Sequence, residues 1–356
     1  MFLRGKRLFH ALFYQIFRAK TIKRSVLEKG DRKWKDRGFF GIICGMPRIS
    51  MSEVDGIRLK SFIIAGSKWL SYHRAYLDRI NFFPVPDGDT GANMYLTLTA
   101  VCARLRAVKN PASAGEIAKE AAMGALMGSK GNSGIILAQY FRGFSESLGN
   151  KKIIRAHDIA RAFQLAAKTA KQGVIKPREG TILSVARDGA RACVKHREHS
   201  KIIQVLNDFY GSASLSLAKT RTALPQNKKA NVVDAGGKGL LLLFEGMLRL
   251  ATGRSLKNPP PAGLKKETRA KLKDKIVKRR YCTSFILKRK AGISDRAIKV
   301  LLKKYGDSIV LDKGIKNVSK IHAHTNEPDE FLEKASEFGL VENVNIDDMK
   351  KQVERR

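Results

Sequence analysis

Two aspartates flank a single glycine in the segment from Asn81 to Met94, NFFPVPDGDTGANM, and a second glycine follows where a helical pattern opens. Asp87 and Asp89 lie two residues apart in a turn-rich loop. Their carboxylates can converge on one or two hard cations such as Mg²⁺, which takes oxygen ligands and phosphate partners. Gly88 and Gly91 allow the backbone close approach, while Pro84 and Pro86 keep the approach non-helical. The pattern predicts a helix from near Ala92 to about Arg106, capped by Thr90 or Asn93. An anionic ligand would then meet metal and helix N-terminal amides together. A bare Asp-Gly-Asp is more often a solvated turn, so the rest of the chain must decide.

Three further segments place glycines and hydroxyls ahead of an apolar helical run. They are Gly124 to Gln139 (GALMGSKGNSGIILAQ), Lys176 to Val185 (KPREGTILSV) and Val232 to Leu243 (VVDAGGKGLLLL). In the first, Gly128, Gly131 and Gly134 surround Ser129, Asn132 and Ser133, the build of a backbone-amide cradle for phosphate. The spacing G-x-x-x-x-G-K-[ST] is absent, and no G-x-G-x-x-G follows a plausible strand, so neither a P-loop nor a dinucleotide fold is indicated. Each cluster alone also reads as close helix packing. Four of them, one bearing a carboxylate pair, favour a nucleotide site.

A second constellation lies nearer the C-terminus. His322 and His324 are two apart in a run that reads as a strand, so both imidazoles face one side, and Cys282 sits on another strand that could pair nearby. A thiolate and two imidazoles suit tetrahedral Zn²⁺. The bland alternative is a polar strand face beside a core thiol.

The elements that would position these groups fall into two patterns. From 51 to 255 the chain is a succession of helical runs. Asn258 to Gly263 (NPPPAG) breaks any helix, and the stretch to Arg280 is basic with little apolar patterning, so 256–280 reads as a linker. Beyond it, 281–352 alternates: strands at Tyr281–Leu287, Ser308–Leu311 and Val318–His324, helices at Asp295–Tyr305 and Pro328–Phe338. The expected fold class is multidomain, an all-α domain followed by a small α+β domain. Residues 1–50 are rich in Arg, Lys and Phe and poor in acids. We read them as a basic extension, disordered or not native, with Met51 as a candidate start.

Composition bounds the partners. The 356 residues carry 69 Lys and Arg against 32 Asp and Glu, a formal +37, which attracts polyanions generally. Basic residues are spread along the chain with no helix-turn-helix or zinc finger, so no specific nucleic-acid partner is expected. The four cysteines, Cys44, Cys102, Cys193 and Cys282, form no C-x-x-C pair, which favours a reducing, cytoplasmic setting. The apolar run Leu8 to Phe17 is too short to span a bilayer, leaving membrane contact at most peripheral.

At this point the motifs support a resemblance. The four glycine segments, in this order and spacing, resemble the nucleotide-binding (L) domain of dihydroxyacetone kinases, and more closely the catalytic subunit of bacterial fatty acid kinases, from about Glu53 to about Gln352. The resemblance implies an antiparallel barrel of α-helices binding ATP and paired Mg²⁺ at one end. It makes Asp87 and Asp89 the metal carboxylates, with Asn81 close by. Asn93, Ser129, Asn132, Ser133 and Thr181 would hold nucleotide phosphates or ribose, and Asp234, Gly236 and Gly237 would close the pocket. A third carboxylate ligand, present in the classical dihydroxyacetone kinases, has no counterpart in the stretch Asn81 to Pro86.

Relatives in the fatty acid branch carry the same Tyr-Cys-Thr and His-x-His elements and bind zinc there, which implies Zn²⁺ at Cys282, His322 and His324. Ser284 stands where those relatives carry glutamate. They also continue past the equivalent of Asn345 to Gln352 into a domain that engages a fatty-acid-carrying partner. The implied activity is ATP-dependent phosphoryl transfer by a homodimer to a carrier-presented substrate, a fatty acid carboxylate above all. No histidine lies in the four clusters, and a carboxylate nucleophile, already ionised at neutral pH, needs no general base. The alternatives are transfer to dihydroxyacetone (glycerone) held on a separate subunit, or a nucleotide-binding scaffold without catalysis.

Overall fold

The computed structural model describes residues 52–108, 113–196, 200–257, 278–312 and 317–354. The expected extension and most of the expected linker lie outside them. Side-chain caps set several helix starts: Asp55 accepts from Arg58 N (2.8 Å) to open α1 (Gly56–Tyr72), and Ser113 accepts from Glu116 N (3.0 Å) to open α4 (Ala114–Gly128). Between them lie α2 (Arg74–Arg79) and α3 (Thr90–Ala107). The series continues with α5 (Gly131–Leu148), α6 (Ala156–Gly173), α7 (Ile182–Ala192), α8 (Ile202–Ala223), the short α9 (Pro225–Ala230) and α10 (Ala235–Ala251). A two-residue ribbon, β1 (Glu53–Val54) with β2 (Ile154–Arg155), ties the start of the domain to α6.

Successive helices pack on one another, and α10 returns to α1, where Gly66 and Gly246 meet backbone to backbone. The interior is apolar and aromatic. Phe209 and Phe244 stack at 3.8 Å between ring centroids, and Phe163 lies 4.9 Å from Phe209. Such rings bury large areas and fix helices α6, α8 and α10 around one axis. Among the described residues no helix is long and apolar enough to cross a membrane.

The second domain is a four-stranded antiparallel sheet in the order β4-β5-β3-β6, built from β3 (Tyr281–Arg289), β4 (Asp307–Asp312), β5 (Val318–Thr325) and β6 (Gly339–Asp348). Helices α11 (Asp295–Tyr305) and α12 (Pro328–Ser336) cover one face, and α13 (Met349–Glu354) follows β6. The period of two divides the strands cleanly. Phe285, Leu287, Ile309, Leu311, Ile321 and Ala323 form a core with Ile298, Leu302 and Phe331 of the helices. The intervening positions, Cys282, Ser284, Asp312, Lys320, His322 and His324, are also buried, yet polar. They face the helical domain, whose Gln139 donates to Leu311 O (2.8 Å) and whose Arg142 Nε meets Asp312 Oδ1 at 3.1 Å.

Three sequence expectations change. Helix α3 opens at Thr90, and Asp89 takes the N-cap position without a side-chain cap bond. Neither Thr90 nor Asn93 caps it, because caps arrive from outside: Asn81 Oδ1 accepts from Thr90 N (3.0 Å) and Asp78 Oδ1 from Ala92 N (3.0 Å). Helix α12 stops at Ser336, two residues short of the expected end, and strand β6 was not anticipated at all.

Candidate functional site

The carboxylate loop hangs between α2 and α3 and is fixed by one amide. Asn81, 2% exposed, donates from Nδ2 to Val85 O (2.8 Å) and to Asp87 Oδ1 (3.2 Å) while its Oδ1 holds Thr90 N. Gly88 adopts φ 72°, a left-handed value that lets the loop turn between the two half-buried aspartates. A third carboxylate, Asp78 on α2, joins them. Burial pushes its proton affinity up to about 6, the amides of Ala92 and Gly91 oppose the shift, and the nearby Asp89 charge adds to it. Sequence reasoning missed Asp78. The one available signal was that it is the sole acid between Asp55 and Asp87 in a strongly basic chain.

The remaining glycine segments bring helix N-termini to the same end. Gly131, at φ 58°, opens α5 with no room for a side chain, because a Cβ there would strike the Asn93 amide. Helix α5 has no side-chain cap, which leaves its first-turn amides to a ligand. Asn132 Oδ1 is buried there without a hydrogen-bond partner, and Ser133 beside it is half-buried. The Ser129 hydroxyl donates to Leu126 O (3.0 Å) where α4 ends.

Thr181 caps α7, receiving Leu183 N (3.4 Å) and donating to Arg178 O (2.8 Å). Asp234 caps α10 through Gly237 N (2.8 Å) and also holds the amide of Ile182, so it binds two helix starts together. Burial pushes its carboxyl up to about 6 against those two amides. Gly236 packs on Ile182 and Gly237 on Val185, which brings α7 and α10 into contact at their first turns.

Across the domain boundary, strand pairing assembles the second constellation. Cys282 lies opposite His324 and Ser284 opposite His322 in the β3–β5 register. The ligand atoms of Cys282, His322 and His324 all lie within 4.8 Å of one another, with Cys282 Sγ 3.7 Å from His322 Nδ1. His322 Nε2 is buried without a hydrogen-bond partner. Burial holds both imidazoles neutral, His324 at about 4 and His322 well below its ordinary value, and pushes the Cys282 thiol well above its own. A soft donor and two neutral imidazoles with an unsatisfied buried nitrogen fit a zinc ion.

The two constellations are neighbours. The charges of Asp89, Asp347 and Asp87 also raise the Cys282 thiol, and Lys130 opposes them. Lys130, at the N-cap of α5, reaches Asn345 Oδ1 on β6 at 3.3 Å. Burial, with Lys130 adding to it, pushes Lys320 down to about 8. The arrangement brings acidic oxygens, the uncapped start of α5 and Lys130 to the boundary between the helical bundle and the sheet. That inventory suits a polyanion held through metal.

Comparison with known proteins agrees in outline. Residues 84–249 match the DAK2 domain, and residues 278–356 match the FakA-like middle domain of fatty acid kinases. An uncharacterized protein of Staphylococcus saprophyticus is 34% identical over 316 residues, covering 85% of this chain and 56% of that protein. Protein YloV of Bacillus subtilis is 33% identical over 317 residues, covering 85% and 57%. The chain thus spans a little over half the length of the curated relatives it matches. A solved structure, the dihydroxyacetone kinase from C. freundii in complex with AMP-PNP and Mg²⁺, aligns at TM-score 0.44 and 14% identity over 58% of this chain and 36% of that one. Two family matches thus follow one another along the chain, the DAK2 domain and then the FakA-like middle domain.

Proposed function

We propose that the chain is an ATP- and Mg²⁺-dependent phosphotransferase that passes the γ-phosphoryl group to a fatty acid carboxylate presented by a separate carrier protein. The observation that carries this reading is the Asp87–Asp89 loop, pinned by Asn81 beside the uncapped start of α5. Asp87 and Asp89 would hold Mg²⁺, which supplies charge neutralisation on the phosphates. The first-turn amides of α5, with Asn93, Asn132 and Ser133, would orient the phosphates. Thr181, Asp234, Gly236 and Gly237 would border the nucleoside. In the reaction a carboxylate oxygen bonds to the γ-phosphorus as the bond to the β–γ bridging oxygen breaks, giving acyl phosphate and ADP. Positioning and electrostatics dominate such transfers, so the absence of a histidine from the glycine segments is no obstacle.

Cys282, His322 and His324 would hold one zinc ion, and its binding would displace the thiol proton. ATP supply and free thiols fit a cytoplasmic protein. The test is ATP consumption with Mg²⁺, comparing carriers loaded with fatty acid against a dihydroxyacetone-loaded subunit. Turnover is expected with the fatty acid carrier, and Asp87→Ala or Asp89→Ala should abolish it with the helical content unchanged. Unchanged turnover in both variants would remove the metal assignment, and turnover with dihydroxyacetone alone would reassign the acceptor.

A further inference from the structure

The phosphotransfer reading leaves Lys130 unused, although it is the N-cap residue of α5 and directly precedes the open first turn. Its half-buried side chain runs to the second domain, where the ammonium donates to Asn345 Oδ1 at 3.3 Å. Among the described residues no ion pair involves it. An ammonium carries three N–H donors, so two remain once Asn345 is served.

The choice of partner is informative. Asn345 is itself oriented by Asp347, the next residue on the same face of β6, because its Nδ2 donates to Asp347 Oδ2 at 2.5 Å. The reverse amide orientation would set oxygen against carboxylate and NH₂ against ammonium, so the two neighbours fix Oδ1 toward Lys130. In the β3–β6 register Asn345 lies opposite Ser284 and Asp347 opposite Cys282, on the polar face of the sheet. A neutral amide thus stands between a cation and an anion that would otherwise neutralise each other. It fixes the ammonium without cancelling its charge. For docking the sheet onto α5 alone, a carboxylate at 345 would hold Lys130 more strongly.

The position of that charge matters as much as its partner. A cation ahead of a helix N-terminus meets the positive end of the helix dipole and is unfavourable there. An anion seated between the two reverses the sign. The first-turn amides of α5 have no side-chain cap, and Asn132 Oδ1 is buried beside them without a hydrogen-bond partner.

We propose that Lys130 is a phosphate-binding residue of the nucleotide site and that Asn345, from the second domain, is the residue that positions it. This rests on the phosphotransfer reading and deepens it, since the sheet then reaches the phosphates through one amide at the start of α5.

The test is calorimetric titration of the full chain, purified without chelator, with Mg-AMP-PNP, run as a double-mutant cycle. Lys130→Met should lose roughly 10- to 100-fold in affinity, the worth of a hydrogen bond to a charged group. Asn345→Ala should lose on the order of fivefold. The two changes combined should lose no more than Lys130→Met alone, because a positioning residue has nothing to act on once the ammonium is gone. Asn345→Asp, which offers the lysine a full ion pair, should also weaken binding. Thermal melting checks that each variant folds, and if Asn345→Ala melts early, Asn345→Gln, which keeps an amide but displaces its oxygen, carries the cycle. Wild-type affinity in Lys130→Met overturns the phosphate contact. Wild-type affinity in Asn345→Ala or Asn345→Asp, or additive losses in the cycle, overturns the positioning role. Each of these leaves the phosphotransfer reading standing. If wild type binds no Mg-AMP-PNP, that reading fails by itself, and inorganic phosphate decides the contact: thermal stabilisation of wild type but not of Lys130→Met upholds it, and no stabilisation of wild type overturns it.

Discussion

Asn81 separates two ideas of how the carboxylate loop works. If its role is to fix the loop, both ends of its amide matter, since it makes three hydrogen bonds, to Val85 O, Asp87 Oδ1 and Thr90 N, from a 2% exposed position. Asn81→Ala removes all three, worth roughly 3 kcal/mol at about 1 kcal/mol net each. The buried Thr90 amide, left without its acceptor, adds on the order of 1–3 kcal/mol unless the loop shifts to meet water. The loop therefore moves, and a displacement near 1 Å from productive geometry lowers turnover on the order of 100-fold. Asn81→Asp discriminates further. It keeps the acceptor for Thr90 but sets a carboxylate oxygen against Asp87 Oδ1 and Val85 O. Were Asn81 a direct Mg²⁺ ligand, the added charge would preserve or tighten metal binding. As a strut, its replacement by Asp should impair turnover as much as Ala does. Phosphate release titrated against Mg²⁺, with hydrogen exchange at the Thr90 amide, measures both. Wild-type turnover and wild-type Thr90 protection in Asn81→Ala would refute the reasoning.

Metal analysis of protein purified without chelator should give about one zinc per chain, absent in Cys282→Ser, with loss of exchange protection across β3 and β5; zinc-free protein with a fully protected sheet would refute it. Asp234, held by burial at about 6 against an ordinary 3.8, retains its proton longer in the folded state, so its contribution lowers stability as pH rises from about 4 to about 6, by roughly 2–3 kcal/mol. Asp234→Asn, which still offers Gly237 N an acceptor, should flatten that slope in denaturation midpoints measured across the window, and an unchanged slope would count against it. Arg142→Ala deprives the buried Asp312 carboxylate of its guanidinium and should destabilise the fold by roughly 3 kcal/mol in urea titrations, whereas a change near zero would show the pair to be adequately solvated.

Much of the architecture is legible because local chemistry and tertiary structure agree. Thr181 and Asp234 read as helix-opening residues and stand at N-caps of α7 and α10. Helix α11 runs from Asp295 to Tyr305 as its apolar period predicts. Strand β6 escaped because it is an edge strand with both faces half-exposed, so Gly339–Asp348 lacks the alternation that betrays β5. The cap of α3 escaped for another reason: Asn81 and Asp78 reach its amides from nine and fourteen residues away. Ser129 carries a hydroxyl suited to phosphate, and only its place at the end of α4 commits that group to Leu126 O. The contact of Lys130 with Asn345 on β6 is a product of domain docking alone.

That docking has a geometric basis in α5. Lys130 at its N-cap meets Asn345 on β6, one edge of the sheet, while Arg142 meets Asp312 on β4, the other edge. Twelve helical residues rise about 18 Å. Four strands are crossed in three spacings, about 14 Å. A helix laid obliquely over the sheet with long side chains at each end matches those lengths, and Gln139 adds a third anchor at Leu311 O. Helix α5 is thereby fastened at both edges, with Cys282, His322 and His324 on the strands between. The same helix presents its uncapped first turn to the carboxylate loop. A single rigid element therefore sets the separation between the phosphate cradle and the Cys/His cluster, which explains why six polar side chains can remain buried on a sheet face where apolar packing would be more stable.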